Sequence, residues 1–139
     1  MFIIGFVIAG LDFRFDWLYL PPLVSYIFVF VLLLSYIMWA EVLRENTYLS
    51  RTIKVEANQK VVDSGLYGVV RHPMYTATIF LFLSIPLILG SVISFFVFLF
   101  YPILIICRIK SEERLLEKEL VGYTEYKKKV KYRLIPFIW

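Results

Sequence analysis

Cysteine, histidine and charge are all scarce in this 139-residue sequence. The single cysteine, Cys107, excludes an internal disulfide, and the single histidine, His72, leaves no Cys/His cluster for a structural zinc ion. Only 19% of the residues are charged while 60% are hydrophobic, whereas soluble domains have about 25% charged and roughly 45–50% apolar residues. We therefore expect a single membrane domain over residues 1–139, without a metal site.

Basic residues are missing from the long apolar runs. Of the fifteen Lys and Arg residues, only Arg14 precedes the first long run, and the others lie between Arg44 and Arg71 or from Arg108 onward. Because Lys and Arg favour the cytoplasmic side of a membrane, both regions are predicted to face the cytosol, and the Asp12–Asp16 turn to face the opposite side. The apolar runs between the basic regions argue against a nucleic-acid partner.

Residues 1–43 are predicted to form N-terminal membrane helices. Residues 2–11 are apolar, but these ten residues are too few to cross a hydrocarbon core that takes about 20 helical residues. This stretch is either the tail of a transmembrane helix that begins before Met1 or a helix end packed onto other helices. Residues 20–43 are long enough for a tilted transmembrane helix.

A second apolar block, residues 74–107, is too long for one crossing and is interrupted at Leu89-Gly90-Ser91. We predict a transmembrane hairpin with arms of about 74–89 and 91–107 and a kink at Pro86. The hairpin returns the chain to the cytosolic side, in agreement with the charge distribution.

The two remaining segments are polar. Residues 44–73 form a predicted cytosolic loop. Residues 108–139 form a predicted amphipathic helix, which Gly122 interrupts, and a basic tail that can hold anionic lipid headgroups. The predicted fold is an all-α integral membrane protein with about three to four transmembrane helices including the hairpin.

The segment from Ser64 to Tyr75 has the residues best suited to chemistry. Pro73 biases His72 away from helix and favours a helix start, so Arg71 and His72 are predicted to lie at the beginning of the following helix. The helix dipole and unpaired N–H groups favour an anion there, and the Arg71 guanidinium can hold a carboxylate or phosphate at two points. The alternative is that both residues only anchor a transmembrane helix to lipid headgroups.

A second cluster lies where the hairpin leaves the membrane. Arg108 and Glu112 are four residues apart and share a helix face, but the cation comes first, which is the weaker order for a local ion pair. Glu112 and Glu113 are adjacent, so they point in different directions. The alternative to a functional role is that both belong to a solvated charge run. The two clusters are predicted to meet at the cytosolic mouth of the hairpin, where a zwitterionic cofactor such as S-adenosylmethionine would match both.

Four ordered motifs resemble one known family. They are Gly65-x-Tyr67, Arg71-His72-Pro73-x-Tyr75, Glu112-Glu113 and Gly122-Tyr123-x-x-Tyr126. This set, within residues 46–139, resembles the isoprenylcysteine carboxyl methyltransferase family and its phospholipid methyltransferase relatives. The resemblance implies an integral membrane enzyme that binds S-adenosylmethionine at its cytosolic face, in part through the loop over 44–73. Its implied reaction is carboxyl methylation of an isoprenylcysteine-like or other lipid-linked small-molecule or protein substrate.

The resemblance also implies the roles of individual residues. Arg71 and His72 would position the cofactor as catalytic residues, and Arg108 would bind the substrate and orient its carboxylate. The implied cofactor-binding residues are Gln59, Lys60, Val61, Val62, Tyr67, His72, Pro73, Met74, Tyr75 and Glu112.

Two departures from the family pattern stand out. Ala77 lies where the family usually has glycine, and its methyl group could tighten a helix contact or crowd the site. The chain also has fewer N-terminal helices than longer members, so part of a substrate tunnel is expected to be missing or to come from another chain, as in a homo-oligomer.

Three alternatives remain open from the sequence. A phospholipid N-methyltransferase would need a base for its amine, and His72 would serve, because histidine is the side chain whose ordinary pKa lies near neutrality. A sterol-type reductase has a similar Arg-His-Pro-x-Tyr signature and uses a nicotinamide cofactor. A small membrane subunit or scaffold would keep the motifs without catalysis.

Overall fold

The computed structural model describes residues 1–48, 55 and 57–139. Residues 49–54 and 56, which belong to the predicted cytosolic loop, lie outside the described residues. The described part of the chain is helical and contains no β-strand, as the composition predicts. Its helices are α1 (Phe2–Phe15), α2 (Pro22–Glu45), a 3-10 helix (Gly65–Gly68), α3 (Pro73–Ile88), α4 (Val92–Phe98), α5 (Phe100–Glu119) and α6 (Tyr123–Lys129).

Two of the predicted breaks are confirmed, and one predicted boundary does not coincide with a helix end. Helix α3 ends at Ile88 and α4 begins at Val92, so the interruption at 89–91 is real. Gly122, with a φ of 88°, separates α5 from α6. The end predicted for the second arm, residue 107, is not a helix end, because α5 continues to Glu119. The membrane boundary at this residue stays a prediction.

The chain divides into two compact units, of which unit 1 comprises Met1–Ile37 and Ala77–Leu104. In unit 1, α1 packs against α4 through a close approach. A Cβ atom at Gly5 would lie 2.3 Å from the Phe98 ring, so only glycine fits there. The hydroxyl of Ser94 donates to the Gly5 carbonyl at 2.8 Å. The stretch over 2–11 therefore lies within a helix that packs onto α4.

The buried carboxylate of Asp12, near the end of α1, is bonded to the residue that caps the start of α4. Asp12 accepts a hydrogen bond from the Ser91 hydroxyl at 2.5 Å and one from the Leu18 backbone N–H at 3.2 Å. The Ser91 oxygen in turn accepts from the Ser94 N–H at 3.1 Å and so caps the start of α4. These bonds satisfy polar groups that apolar packing would leave unpaired.

Apolar side chains are exposed along the long helices. Helix α2 is apolar and long enough to cross a membrane, yet only 6% of its most apolar window is buried within the protein. Residues Val92–Glu119, which contain α4 and α5, meet the same criteria of length and composition. Helix α3 is a shorter apolar helix. In a lipid bilayer these exposed surfaces would contact acyl chains rather than water.

Unit 2 comprises Met38–Thr76 and Ile105–Trp139. Its 3-10 helix lies against the end of α2, where Glu45 accepts a hydrogen bond from the Leu66 N–H at 3.2 Å. Gly65 has a φ of 50°, and a Cβ atom there would meet the Glu45 carboxylate. Tyr67 is then held from two sides, because its hydroxyl accepts from the Asn46 amide at 2.9 Å and its carbonyl accepts from the Tyr126 hydroxyl at 2.7 Å.

The segment after α6 pairs with the start of α3. The N–H of Arg71 donates to the Tyr132 carbonyl, and the N–H of His72 donates to the Arg133 carbonyl, both at 2.9 Å. The Thr76 hydroxyl donates to the Leu134 carbonyl at 2.7 Å. Arg71 and His72 are thus fixed by backbone bonds to a segment about sixty residues away in the chain.

Candidate active site

A cavity in unit 2 is lined by residues from four parts of the sequence. Its empty space, including the open solvent at its mouth, measures about 860 Å³. Charged and polar groups, aromatic rings and aliphatic side chains all contribute to the wall. The lining residues are Asn46, Tyr48, Gln59, Lys60, Val61, Val62, Tyr67, Arg71, His72, Met74, Tyr75, Glu112, Leu115, Leu116, Leu120, Tyr123 and Tyr126.

The structure brings together most of the positions that the resemblance implies for the cofactor. Nine of the ten line this cavity, namely Gln59, Lys60, Val61, Val62, Tyr67, His72, Met74, Tyr75 and Glu112. The tenth, Pro73, is fully buried as the first residue of α3 and is not a lining residue. Arg71 lines the cavity, whereas Arg108 is joined to it through Tyr75.

Arg71, His72, Glu113 and Arg133 form what we call the ion cluster. Glu113 is only 3% exposed. One of its oxygens accepts from Arg71 Nε at 2.8 Å and lies 3.2 Å from His72 Nε2, and the other accepts from Arg133 Nε at 3.0 Å. Arg71 Nη1 also donates to the carbonyls of Val130 and Lys131, at 2.8 Å each.

This burial corrects two readings of the sequence. Arg71 and His72 are only 6% and 5% exposed, so they do not serve as mere anchors to lipid headgroups. Glu113 is not part of a solvated charge run, because it is surrounded by three cationic or hydrogen-bonding side chains. The Arg71 guanidinium, expected to receive an anionic ligand, is bonded to the protein's own carboxylate and carbonyls.

Glu112 points away from the ion cluster, as expected for adjacent helical residues. Its Oε2 accepts a hydrogen bond from the Tyr75 hydroxyl at 2.6 Å. The same hydroxyl oxygen accepts from Arg108 Nε at 2.7 Å. Tyr75 thus bridges Arg108 and Glu112, which are not simply a local ion pair along one helix.

Tyrosines form much of the remaining wall. Burial raises the pKa of Tyr67 to about 12, and it also raises the pKa values of Tyr123 and Tyr126. These phenols therefore stay neutral at physiological pH and act as hydrogen-bonding groups. The hydroxyl of Tyr123 is buried and has no hydrogen-bond partner among the described residues.

The basic run after Gly122 is largely paired with carboxylates. Lys127 pairs with Glu117, Lys128 with Glu125 at 2.9 Å, and Lys129 with Asp63 at 2.8 Å. The hydrogen bond from Lys129 lowers the pKa of Asp63. Binding of lipid headgroups by this run stays a prediction.

Sequence reasoning left several site residues unassigned. No partner was predicted for Glu113, although the different directions of two adjacent helical residues indicate that one of them can face the interior. Tyr123 and Tyr126 belong to the Gly122-Tyr123-x-x-Tyr126 motif, which was noted without a role. Nothing in the local pattern marks Asn46, Tyr48, Leu115, Leu116 or Leu120 as lining residues.

Curated relatives match part of the chain. The delta(14)-sterol reductase TM7SF2 of Mus musculus is 32% identical over 91 residues, which are 63% of this chain and 22% of that protein. The delta(14)-sterol reductase of Methylotuvimicrobium alcaliphilum is 30% identical over 93 residues, 65% of this chain and 22% of that protein. The chain therefore spans about a fifth of the length of these relatives.

A solved structure shares the fold over nearly the whole chain. It is that of the eukaryotic intramembrane Ras methyltransferase ICMT, isoprenylcysteine carboxyl methyltransferase, without a monobody. The TM-score is 0.81 at 21% identity, and the likeness covers 98% of this chain and 50% of that one.

A family model also matches, and it covers more than half of the chain. The isoprenylcysteine carboxyl methyltransferase (ICMT) family model matches residues 26–118. Together with the two long apolar helices, this match identifies an integral membrane protein. The chain belongs to the isoprenylcysteine carboxyl methyltransferase family.

Proposed function

We propose that this protein is an S-adenosylmethionine-dependent membrane methyltransferase that methylates the carboxylate of a lipid-linked substrate, of which an isoprenylcysteine is the model. The observation that supports it best is that nine positions implied for the cofactor line one cavity. Family membership and the shared fold agree with this activity.

The chemistry of the wall fits the cofactor. Glu112 offers a carboxylate to a cationic or hydroxyl-bearing part of a ligand, and Tyr67, Tyr123 and Tyr126 offer neutral aromatic surfaces. The buried, unpaired hydroxyl of Tyr123 is a polar group that a ligand can satisfy. When bound, S-adenosylmethionine supplies a methyl group carried on a positively charged sulfur.

The roles of the chain's own residues follow from their contacts. The ion cluster holds His72 in place, so we assign Arg71 and His72 to positioning the cavity wall. Arg108 donates a hydrogen bond to the Tyr75 hydroxyl, which orients its side chain. Its planar guanidinium would in turn orient the acceptor carboxylate. A carboxylate is already a nucleophile at neutral pH, so this acceptor requires no base, and alignment and exclusion of water supply the catalysis.

We also propose a topology for this activity. Helices α2 and α3 and the segment over 92–107 would cross the bilayer, with α3 and that segment as the two arms of the hairpin. The cofactor loop over 44–73 and the segment over 108–139 would face the cytosol, because fourteen of the fifteen basic residues lie in or next to them. A lipid-linked substrate would then reach the site from the membrane.

Ligand binding to the detergent-purified protein tests the proposal directly. S-adenosylmethionine should bind with micromolar affinity, and Glu112→Gln should weaken that binding. Glu117→Gln is a matched control, because Glu117 lies in the same helix but pairs with exposed Lys127. Absence of binding by the intact protein would contradict the proposal. Arg71→Ala is less informative, because it would also disrupt the ion cluster.

The product then identifies the acceptor. Labelled S-adenosylmethionine should give a base-labile methyl ester with an N-acetylated, farnesylated cysteine. A methylated headgroup on phosphatidylethanolamine would instead support phospholipid N-methylation. In that case His72→Gln should retain cofactor binding but give slow turnover with a shifted pH profile, as expected for a lost base.

A second candidate is reduction of a sterol-like substrate with a nicotinamide cofactor. The observation in its favour is the 32% identity to a delta(14)-sterol reductase. NADPH is therefore the comparison ligand in the binding experiment. Binding of NADPH in place of S-adenosylmethionine would replace the first proposal with this one, and binding of neither would support a scaffold role.

A further inference from the structure

The hydroxyl of Tyr123 is the one buried side-chain polar atom without a hydrogen-bond partner in the described part of the chain. The residue is only 4% exposed and contributes to the wall of the cavity. Buried hydroxyls in native proteins are nearly always paired, because an unpaired one loses its bonds to water without replacement. A partner from outside the described residues is therefore expected, and the position of this hydroxyl in the wall of the cavity makes a bound ligand suitable.

Other tyrosines of the same wall are satisfied by the protein. The Tyr67 hydroxyl accepts from Asn46, and the Tyr126 hydroxyl donates to the Tyr67 carbonyl. The Tyr75 hydroxyl is shared between Glu112 and Arg108. The unpaired state of Tyr123 is thus not a general property of the phenols around this cavity.

The surroundings of Tyr123 indicate what kind of group would bond to it. Its ring belongs to an apolar cluster with Leu120, Tyr126 and Val130, against which Val55, Val61 and Leu116 pack. The ring of Tyr126 lies 5.8 Å from that of Tyr123, centroid to centroid. A flat heteroaromatic ring with a nitrogen acceptor suits such a wall better than a zwitterionic amino-acid group, which suits Glu112.

We infer that the Tyr123 hydroxyl binds the adenine of the cofactor by donating a hydrogen bond to a ring nitrogen. This inference rests on the proposed function and adds a cofactor-binding residue beyond the ten positions that the resemblance implies. Tyr123 contributes affinity and selectivity for the base, while the polar groups around Glu112 bind the other end of the ligand.

Calorimetric titration with S-adenosylhomocysteine, a non-reactive analogue, tests the inference. Tyr123→Phe should weaken binding about fivefold to tenfold, as expected for one net hydrogen bond. The melting temperature of the ligand-free variant should stay unchanged or rise, because no hydrogen bond within the protein is lost. Tyr26→Phe, at an exposed position on α2, is the control and should change neither quantity.

Analogues of S-adenosylhomocysteine with N1, N3 or N7 of adenine replaced by CH identify the acceptor. One of the three should bind the intact protein about fivefold to tenfold more weakly but should lose little further affinity with Tyr123→Phe, since both changes remove the same bond. Equal relative losses in both proteins for all three analogues would overturn the inference.

The possible failures are distinguishable. If the intact protein does not bind S-adenosylhomocysteine, the proposed function fails. If it binds and Tyr123→Phe binds equally well, only the adenine contact is overturned. A clear fall in the melting temperature of ligand-free Tyr123→Phe would assign the hydroxyl to the fold and would also overturn the inference.

Discussion

Glu112 and Glu113 are neighbours in α5, but their carboxylates have opposite surroundings. Glu113 is buried in the ion cluster, where both of its oxygens are engaged by Arg71, His72 and Arg133. Glu112 lies in the wall of the cavity and accepts from Tyr75. A carboxylate whose oxygens are engaged by the protein stabilises the fold, whereas one that lines a cavity can bind a ligand. Stability and ligand affinity should therefore respond to different substitutions.

The largest effect is expected from Glu113→Gln. Removing this charge leaves Arg71 and Arg133 without their counter-ion, and breaking a buried ion pair costs about 3–5 kcal/mol. Thermal or denaturant unfolding in detergent measures the change. Glu117→Gln, in the half-exposed pair with Lys127, should change stability by about 0–1 kcal/mol. Equal losses of unfolding free energy in the two variants would show that the ion cluster contributes no more to stability than the half-exposed pair does.

Glu112→Gln should have the reverse profile. The unfolding free energy should change by less than about 1 kcal/mol, since the amide oxygen can still accept from Tyr75. Affinity for S-adenosylmethionine should fall by about 1.5–3 kcal/mol, the usual range for a hydrogen bond to a charged group. Titration calorimetry gives the affinity. A loss of stability as large as that of Glu113→Gln would contradict the comparison.

Tyr75→Phe removes the bridge between the two charged residues of the wall. We expect kcat/KM for the acceptor to fall by about fivefold, because Arg108 loses one orienting hydrogen bond of about 1 kcal/mol. Initial rates at saturating cofactor measure this effect. The folded state should remain intact by thermal unfolding. An unchanged kcat/KM would show that Tyr75 does not orient Arg108 for the reaction.

The smallest effect is expected from Arg133→Met, at the partly exposed edge of the ion cluster. Arg133 keeps 28% of its side chain exposed and lies over the Trp139 ring, 4.9 Å from the centroid. Its contribution should be about 1 kcal/mol, since solvent screens the pair. Unfolding measurements on this variant and on Arg71→Met, which is fully buried, rank the two arginines. A larger loss for Arg133→Met would reverse the proposed order.

Local signals predicted the helix boundaries best. Pro73 marks the start of α3, the Leu89-Gly90-Ser91 break separates α3 from α4, and Gly122 precedes α6. The end predicted for the second hairpin arm, residue 107, does not coincide with a helix end, for a physical reason. Falling hydropathy marks a change of solvent around a helix, but backbone hydrogen bonds continue through it, so α5 runs on to Glu119.

Long-range partners could not be predicted from the sequence. The pattern around Arg71 indicated an anion-binding group, but its guanidinium bonds to carbonyls at Val130 and Lys131. No periodicity or motif specifies such contacts, because every residue provides the same backbone carbonyl, whatever its side chain. Helix geometry alone predicted that Glu112 and Glu113 point in different directions. It did not predict which residues their carboxylates contact.

The pairing of Arg71 and His72 with residues 132 and 133 has a consequence for biosynthesis. A ribosome makes the chain from the N-terminus, so Arg71 and His72 are synthesised well before the segment that holds them. The cavity wall therefore cannot reach its final form until translation has passed Leu134, which bonds to Thr76. A chain that ends before residue 130 would lack every partner that this segment supplies to Arg71, His72 and Thr76, and we expect it to be unable to bind ligand.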